Sequence, residues 1–136
     1  MQAEVFISYS RTDKAFVERL HGALEALQRP SWVDWEGIPP TAEWMAEIHS
    51  AIEAAQTVVF VISPASISSK VCGQELEHAV VQRKRLVPIV CAEVDADSVH
   101  SALRKLNWIY AREYDVFDES IEKLLGAMDS DLERER

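Results

Sequence analysis

The chain has 136 residues, 48% hydrophobic and 27% charged, which suits a single globular domain large enough to bury a core. A formal net charge of −9 excludes a phosphate-tracking nucleic-acid binder, whose affinity comes from clustered Lys and Arg. No apolar run reaches the roughly 18 residues that span a bilayer, no basic-then-apolar leader opens the chain, and two cysteines, Cys72 and Cys91, are too few for a disulfide scaffold; a soluble protein of the reducing cytoplasm, without membrane or nucleic-acid partners, is expected.

Strand and helix patterns alternate along the whole chain. Glu4–Tyr9 is a short apolar run with strand character. Phe16, Leu20, Ala23, Leu24 and Leu27 follow at helical spacing, with Thr12 or Asp13 as the expected cap and Pro30 as the stop. Ser31–Asp34 reads as a second strand, and Trp35–Thr41, with two prolines and a glycine, as a loop. Met45, Ile48, Ala51, Ile52 and Ala55 mark a helix over 42–55, and Thr57–Ile62 a strand buried on both faces. The hydroxyl-rich Ser63–Ser69 leads into a helix predicted over 71–85, whose basic end Arg83-Lys84-Arg85 suits the negative pole of a helix. Leu86–Cys91 is a fourth strand, Ser98–Leu106 a weak helix, Asn107–Tyr110 a short last strand and Phe117–Leu132 a last helix. The domain is expected to occupy residues 1–128, and the charged tail 129–136 to lead toward a linker in a longer parent protein.

This alternation predicts an α/β fold, a flavodoxin-like five-stranded parallel sheet with helices on both faces. Ligands in such sheets bind at the carboxyl ends of the strands. That edge would carry 8–13, 34–44 and 63–69, with Glu75 on the helix that follows.

At ~100° per residue, Cys72, Leu76, Ala79, Val80 and the stem of Arg83 form one helical stripe. Glu75 lies about 80° from its centre and Glu77 about 120°, which puts Glu75 on the shoulder of the buried face and Glu77 in water. Glu75 has no Lys or Arg three or four positions along to make it a surface ion pair. Other residue types point less sharply. Ser8, Ser10, Ser63, Ser66, Ser68 and Ser69 could bind sugar or phosphate oxygens, or satisfy turns and caps. Arg11 suits an anionic ligand or plain solvation. Trp32, Trp35 and Trp44 could stack on a planar ring or fill core, and core is expected for Trp32. The four histidines, His21, His49, His78 and His100, show no metal-ligand spacing, so no metal is expected. Cys72 reads as a small buried thiol. No glycine-rich phosphate loop is present.

Four segments in order resemble the Toll/interleukin-1 receptor (TIR) domain family, in its bacterial immune and signalling form. They are Val5-Phe-Ile-Ser-Tyr-Ser-Arg-Thr-Asp13, Val33-Asp-Trp-Glu-Gly-Ile-Pro-Pro40, Val61–Ser69 with Cys72-Gly-Gln-Glu-Leu76, and Leu106–Tyr110 with Asp115–Asp118. The resemblance implies one of two activities: cleavage of NAD+ at the nicotinamide–ribose bond, with a linear or cyclic ADP-ribose product, or a catalytically silent self-associating module. It implies Glu75 as the catalytic glutamate and Tyr9, Ser10, Arg11, Asp34, Trp35 and Trp44 around the nucleotide. Where several active members have a tryptophan this chain has Val71, so Trp35, Trp44 or a neighbouring subunit would supply the ring. Glu36, Gly37, Ile38, Pro39 and Pro40 match the family's BB loop, a self-association surface. No cofactor beyond NAD+ as substrate is implied. A phosphoacceptor receiver shares the sheet order, but it needs an aspartate at the end of the third strand, where Ser63-Pro64 stands.

Overall fold

The computed structural model describes residues 3–35 and 41–130. Five parallel strands form its centre: β1 (Val5–Ser8), β2 (Ser31–Trp32), β3 (Thr57–Ile62), β4 (Arg85–Val90) and β5 (Ile109–Tyr110), in the order β2-β1-β3-β4-β5. This is the flavodoxin-like order. Side chains alternate across a strand, so Val5, Ile7, Val59, Val61, Val87 and Ile89 share one face. Helices α1 (Lys14–Ala26) and α6 (Phe117–Asp129) cover it with Val17, Leu20, Leu24, Ile121, Leu124 and Met128. On the opposite face Phe6, Val58, Phe60, Ile62 and Val90 meet α2 (Ala42–Ala54) and α4 (Lys70–Val81). Two single-turn helices, α3 (Pro64–Ile67) and α5 (Ser101–Arg104), complete the α/β layers. β1 and β3 are buried along their whole length, which is why neither shows polar alternation.

Several boundaries differ from the sequence expectation. A 3₁₀ turn over Arg11–Asp13 precedes α1, and Ser10 caps that turn through Thr12 N. Asp13 sits at the N-cap of α1, but its side chain makes no cap hydrogen bond there. β2 is two residues long, and the weak helix over 98–106 shrinks to a 3₁₀ turn, Ala96–Ser98, followed by α5. The helix predicted to run to Arg85 ends at Val81, because Arg83 adopts the left-handed conformation (φ 57°) and the chain turns there into β4. The basic run still serves helix ends, but those of neighbours: Lys84 Nζ donates to Glu53 O of α2 (2.7 Å) and Arg85 Nη1 to Ala127 O of α6 (3.3 Å). The segment Glu36–Pro40, matched to the BB loop, and the tail beyond 130 lie outside the described residues. Among the described residues no helix is long and apolar enough to cross a membrane.

Candidate active site

The strand order reverses between β1 and β3, so the loops leaving their carboxyl ends run to opposite faces and open a crevice between them. Ser8 is the last residue of β1, and its side chain falls on the α4 face together with that of Phe6. After β3 the chain makes α3, and Ser69 then caps α4 by accepting from Cys72 N (3.2 Å). α4 presents Cys72, Glu75, Leu76 and Ala79 to the sheet. Ser8 Oγ donates a hydrogen bond to Glu75 Oε1 at 2.6 Å, and both residues are buried.

The buried face of α4 is rotated from the one expected. Val80 is 43% exposed and Arg83 lies beyond the helix, whereas Glu75 is only 6% exposed. Positions 72, 75, 76 and 79 have the i, i+3, i+4, i+7 spacing of a packed helix face, and the apolar Val80 had drawn the expected stripe off it. A carboxylate inside that stripe needs a partner, and the small Ser8 leaves room for it and supplies a donor. Glu77 is exposed, as expected.

Burial pushes the Glu75 carboxyl up to about 7; the Ser8 hydroxyl opposes the rise and the negative charge of Asp34 adds to it. Near neutral pH this group divides between its two protonation states. Once ionised in such a poorly solvated place it interacts strongly with any positive charge nearby. Burial also drives the Cys72 thiol up to about 11, so it stays protonated and unreactive beside Glu75.

Tyr9 OH donates to the Asp34 carbonyl (2.6 Å), tying the β1 loop to the end of β2. Burial and the charge of Asp34 raise the phenol to about 12; Arg11 and Glu75 are both near enough to act on it. Tyr9, Asp34, Arg11 and Glu75 therefore share one electrostatic neighbourhood at the carboxyl edge. The tryptophans do not converge. Trp35 packs on the α1 side against Tyr9 (6.3 Å) and His21 (5.3 Å, edge-on). Trp44 is on the other side, 6.4 Å from Trp32, which itself stacks on Phe6 at 5.0 Å. Of Trp35 and Trp44, Trp44 shares the Glu75 layer; Trp32, expected in the core, is half-buried and packs against the core cluster of that face. Ser8 is the candidate-site residue that sequence reasoning underrates. Its signal was a lone hydroxyl ending an apolar strand on the face that alternation turns toward α4.

The model of the TIR domain family matches residues 5–125. This chain belongs to the TIR domain family. A search of curated proteins finds no match. Among solved structures the TIR domain is similar to that of the Toll-related receptor TRR-2 from Hydra magnipapillata, with TM-score 0.78 and 20% identity over 93% of this chain and 98% of that one. It is also similar to a TIR domain in the RPS4–RRS1 TIR heterodimer (TM-score 0.65, 20% identity, 91% and 94% covered). A third relative in shape is the CMP N-glycosidase BcmB of Clostridium botulinum (TM-score 0.59, 18% identity, 88% and 96% covered). At these identities the likeness establishes the fold of the TIR domain, a fold that in BcmB carries an N-glycosidase.

Proposed function

We propose that this TIR domain cleaves the nicotinamide–ribose bond of NAD+ when its copies assemble. The observation that carries the reading is the buried Glu75–Ser8 pair at the carboxyl edge of the sheet. Nicotinamide in NAD+ is a cationic leaving group, so the C1′–N bond breaks with its electron pair returning to the ring nitrogen. The ribose then acquires oxocarbenium character, as in glycoside cleavage. An ionised carboxylate held in a poorly hydrated site stabilises that positive charge without reorganising. Ser8 holds one oxygen of Glu75, and in this reading the other acts on the ribose. Tyr9, Ser10 and Arg11 supply hydroxyls and a guanidinium suited to the sugar and diphosphate. Water adding to C1′ gives ADP-ribose and loses a proton; attack by the adenine ring gives a cyclic product instead.

Self-association belongs to the same reading, and Glu36–Pro40, flanking the site in sequence, is the segment proposed for it. Further domains of a longer parent would bring the copies together in a cytoplasmic signalling or bacterial defence setting. The test is nicotinamide release from NAD+ by concentrated or crowded protein, with light scattering to record assembly. Release that vanishes in Glu75→Ala supports the reading. No turnover by demonstrably assembled protein overturns it in favour of a silent interaction module.

A further inference from the structure

The carboxylate of Asp13 stands at the N-cap of α1 yet accepts nothing from that helix. It turns instead to the next loop of the sheet edge, where Ser63 Oγ donates to Asp13 Oδ2 at 2.5 Å. The Ser63 hydroxyl works in both directions, since it also accepts from Ser66 N (3.1 Å) in the capping box that starts α3. The Cys91 thiol, one residue past β4, lies close enough for the negative charge of the same Asp13 to act on it. One side chain therefore bridges the turns that leave the carboxyl ends of β1 and β3. Asp is among the best N-cap residues, so diverting it from its own helix breaks a local rule. Such violations concentrate where a site has to be built.

The consequence is geometric. The loop after β1 is held at both ends: Ser8, just before it, bonds Glu75 on α4, and Asp13, at its far end, accepts from Ser63 at the start of α3. Tyr9, Ser10 and Arg11 lie between the two fastenings. We propose that Asp13 is a positioning residue, and that its bond to Ser63 sets the height of the Tyr9–Arg11 loop over Glu75 and so the binding of NAD+. The proposal rests on the NAD+-cleaving reading. Asp13 reaches no substrate in it; it acts through the loop.

Four variants of the assembled protein test it: Asp13→Ala, Asp13→Asn, Ser63→Ala and the Asp13→Ala/Ser63→Ala double. Asp13→Ala is expected to lower kcat/KM on the order of tenfold, mainly through KM, because the displaced groups bind rather than react. Asp13→Asn keeps an acceptor oxygen and recovers most of the loss, and the double variant is no worse than the weaker single because the two act as one unit. Backbone amide exchange gives a readout independent of turnover: residues 10–14 exchange faster in Asp13→Ala while α4 around Glu75 does not change. Should Asp13→Ala fail to fold, Asp13→Ser carries the same test, since its shorter side chain draws the acceptor away from Ser63. A folded Asp13→Ala protein with wild-type KM and wild-type exchange would overturn the proposal, as would additive losses in the double variant. Wild-type protein that releases no nicotinamide overturns the activity reading, and the exchange measurement then decides the Asp13–Ser63 fastening by itself.

Discussion

Glu75→Gln separates what the buried carboxylate does for chemistry from what it costs the fold. The Glu75 carboxyl stands at about 7 in the folded protein against 4.5 in an exposed chain. Between those values the folded state keeps a proton that the unfolded state has lost, so raising the pH through this window destabilises the wild type. The contribution is fully present below pH 4.5 and is lost as pH passes about 7. At about 1.4 kcal/mol per pH unit, the rise amounts to roughly 3 kcal/mol. Glutamine has no proton to lose and keeps an oxygen for Ser8, but its buried amide N–H groups cost about 1–2 kcal/mol at every pH. The variant should therefore be less stable than wild type at pH 4 and more stable at pH 8, the two curves crossing between about pH 5 and pH 6. Urea unfolding at a series of pH values, with the slope m unchanged, measures this; other titrating groups cancel in the difference. A stability difference that stays constant between pH 4 and pH 8 would refute the reasoning, because it would mean that Glu75 ionises as an ordinary surface carboxylate.

Three further outcomes are expected of the same structure. If ionised Glu75 acts on the ribose, kcat/KM for NAD+ rises with pH and levels above about 7, and Ser8→Ala moves that limb to higher pH by removing the hydrogen bond that favours the charged form; a limb unmoved in Ser8→Ala counts against the pair. Leu24, fully buried between α1 and the sheet, should cost about 2–5 kcal/mol as Leu24→Ala in thermal or urea unfolding, with no direct effect on the Glu75 site. Cys72, buried and with its thiol raised to about 11, should resist a disulfide reagent at pH 8 in the native protein and label only on unfolding; rapid native labelling in a Cys91→Ser background would show an open site.

The sequence by itself determined the architecture. Continuous apolar runs at 57–62 and 86–91, separated by helical spacing, demand a parallel sheet covered on both faces, and that fixes which loops share the carboxyl edge. Four ordered segments were enough to point to the TIR family, and helix geometry alone parted Glu75 from Glu77. The tertiary structure decided what surrounds Glu75. Local periodicity counts apolar residues, so Val80 pulled the buried stripe away from the carboxylate; only the packing of α4 over β1 exposes Val80 and buries Glu75 beneath Ser8. Asp13 carries the same lesson: a short-range rule assigns it to its own helix, while a partner 50 residues away, brought within reach by strand pairing, takes its hydrogen bond. Trp35 and Trp44, nine positions apart, end on opposite faces of the sheet. Spacing along a chain says which residues can share an element; which side chains then compete for one buried oxygen is settled when the layers close.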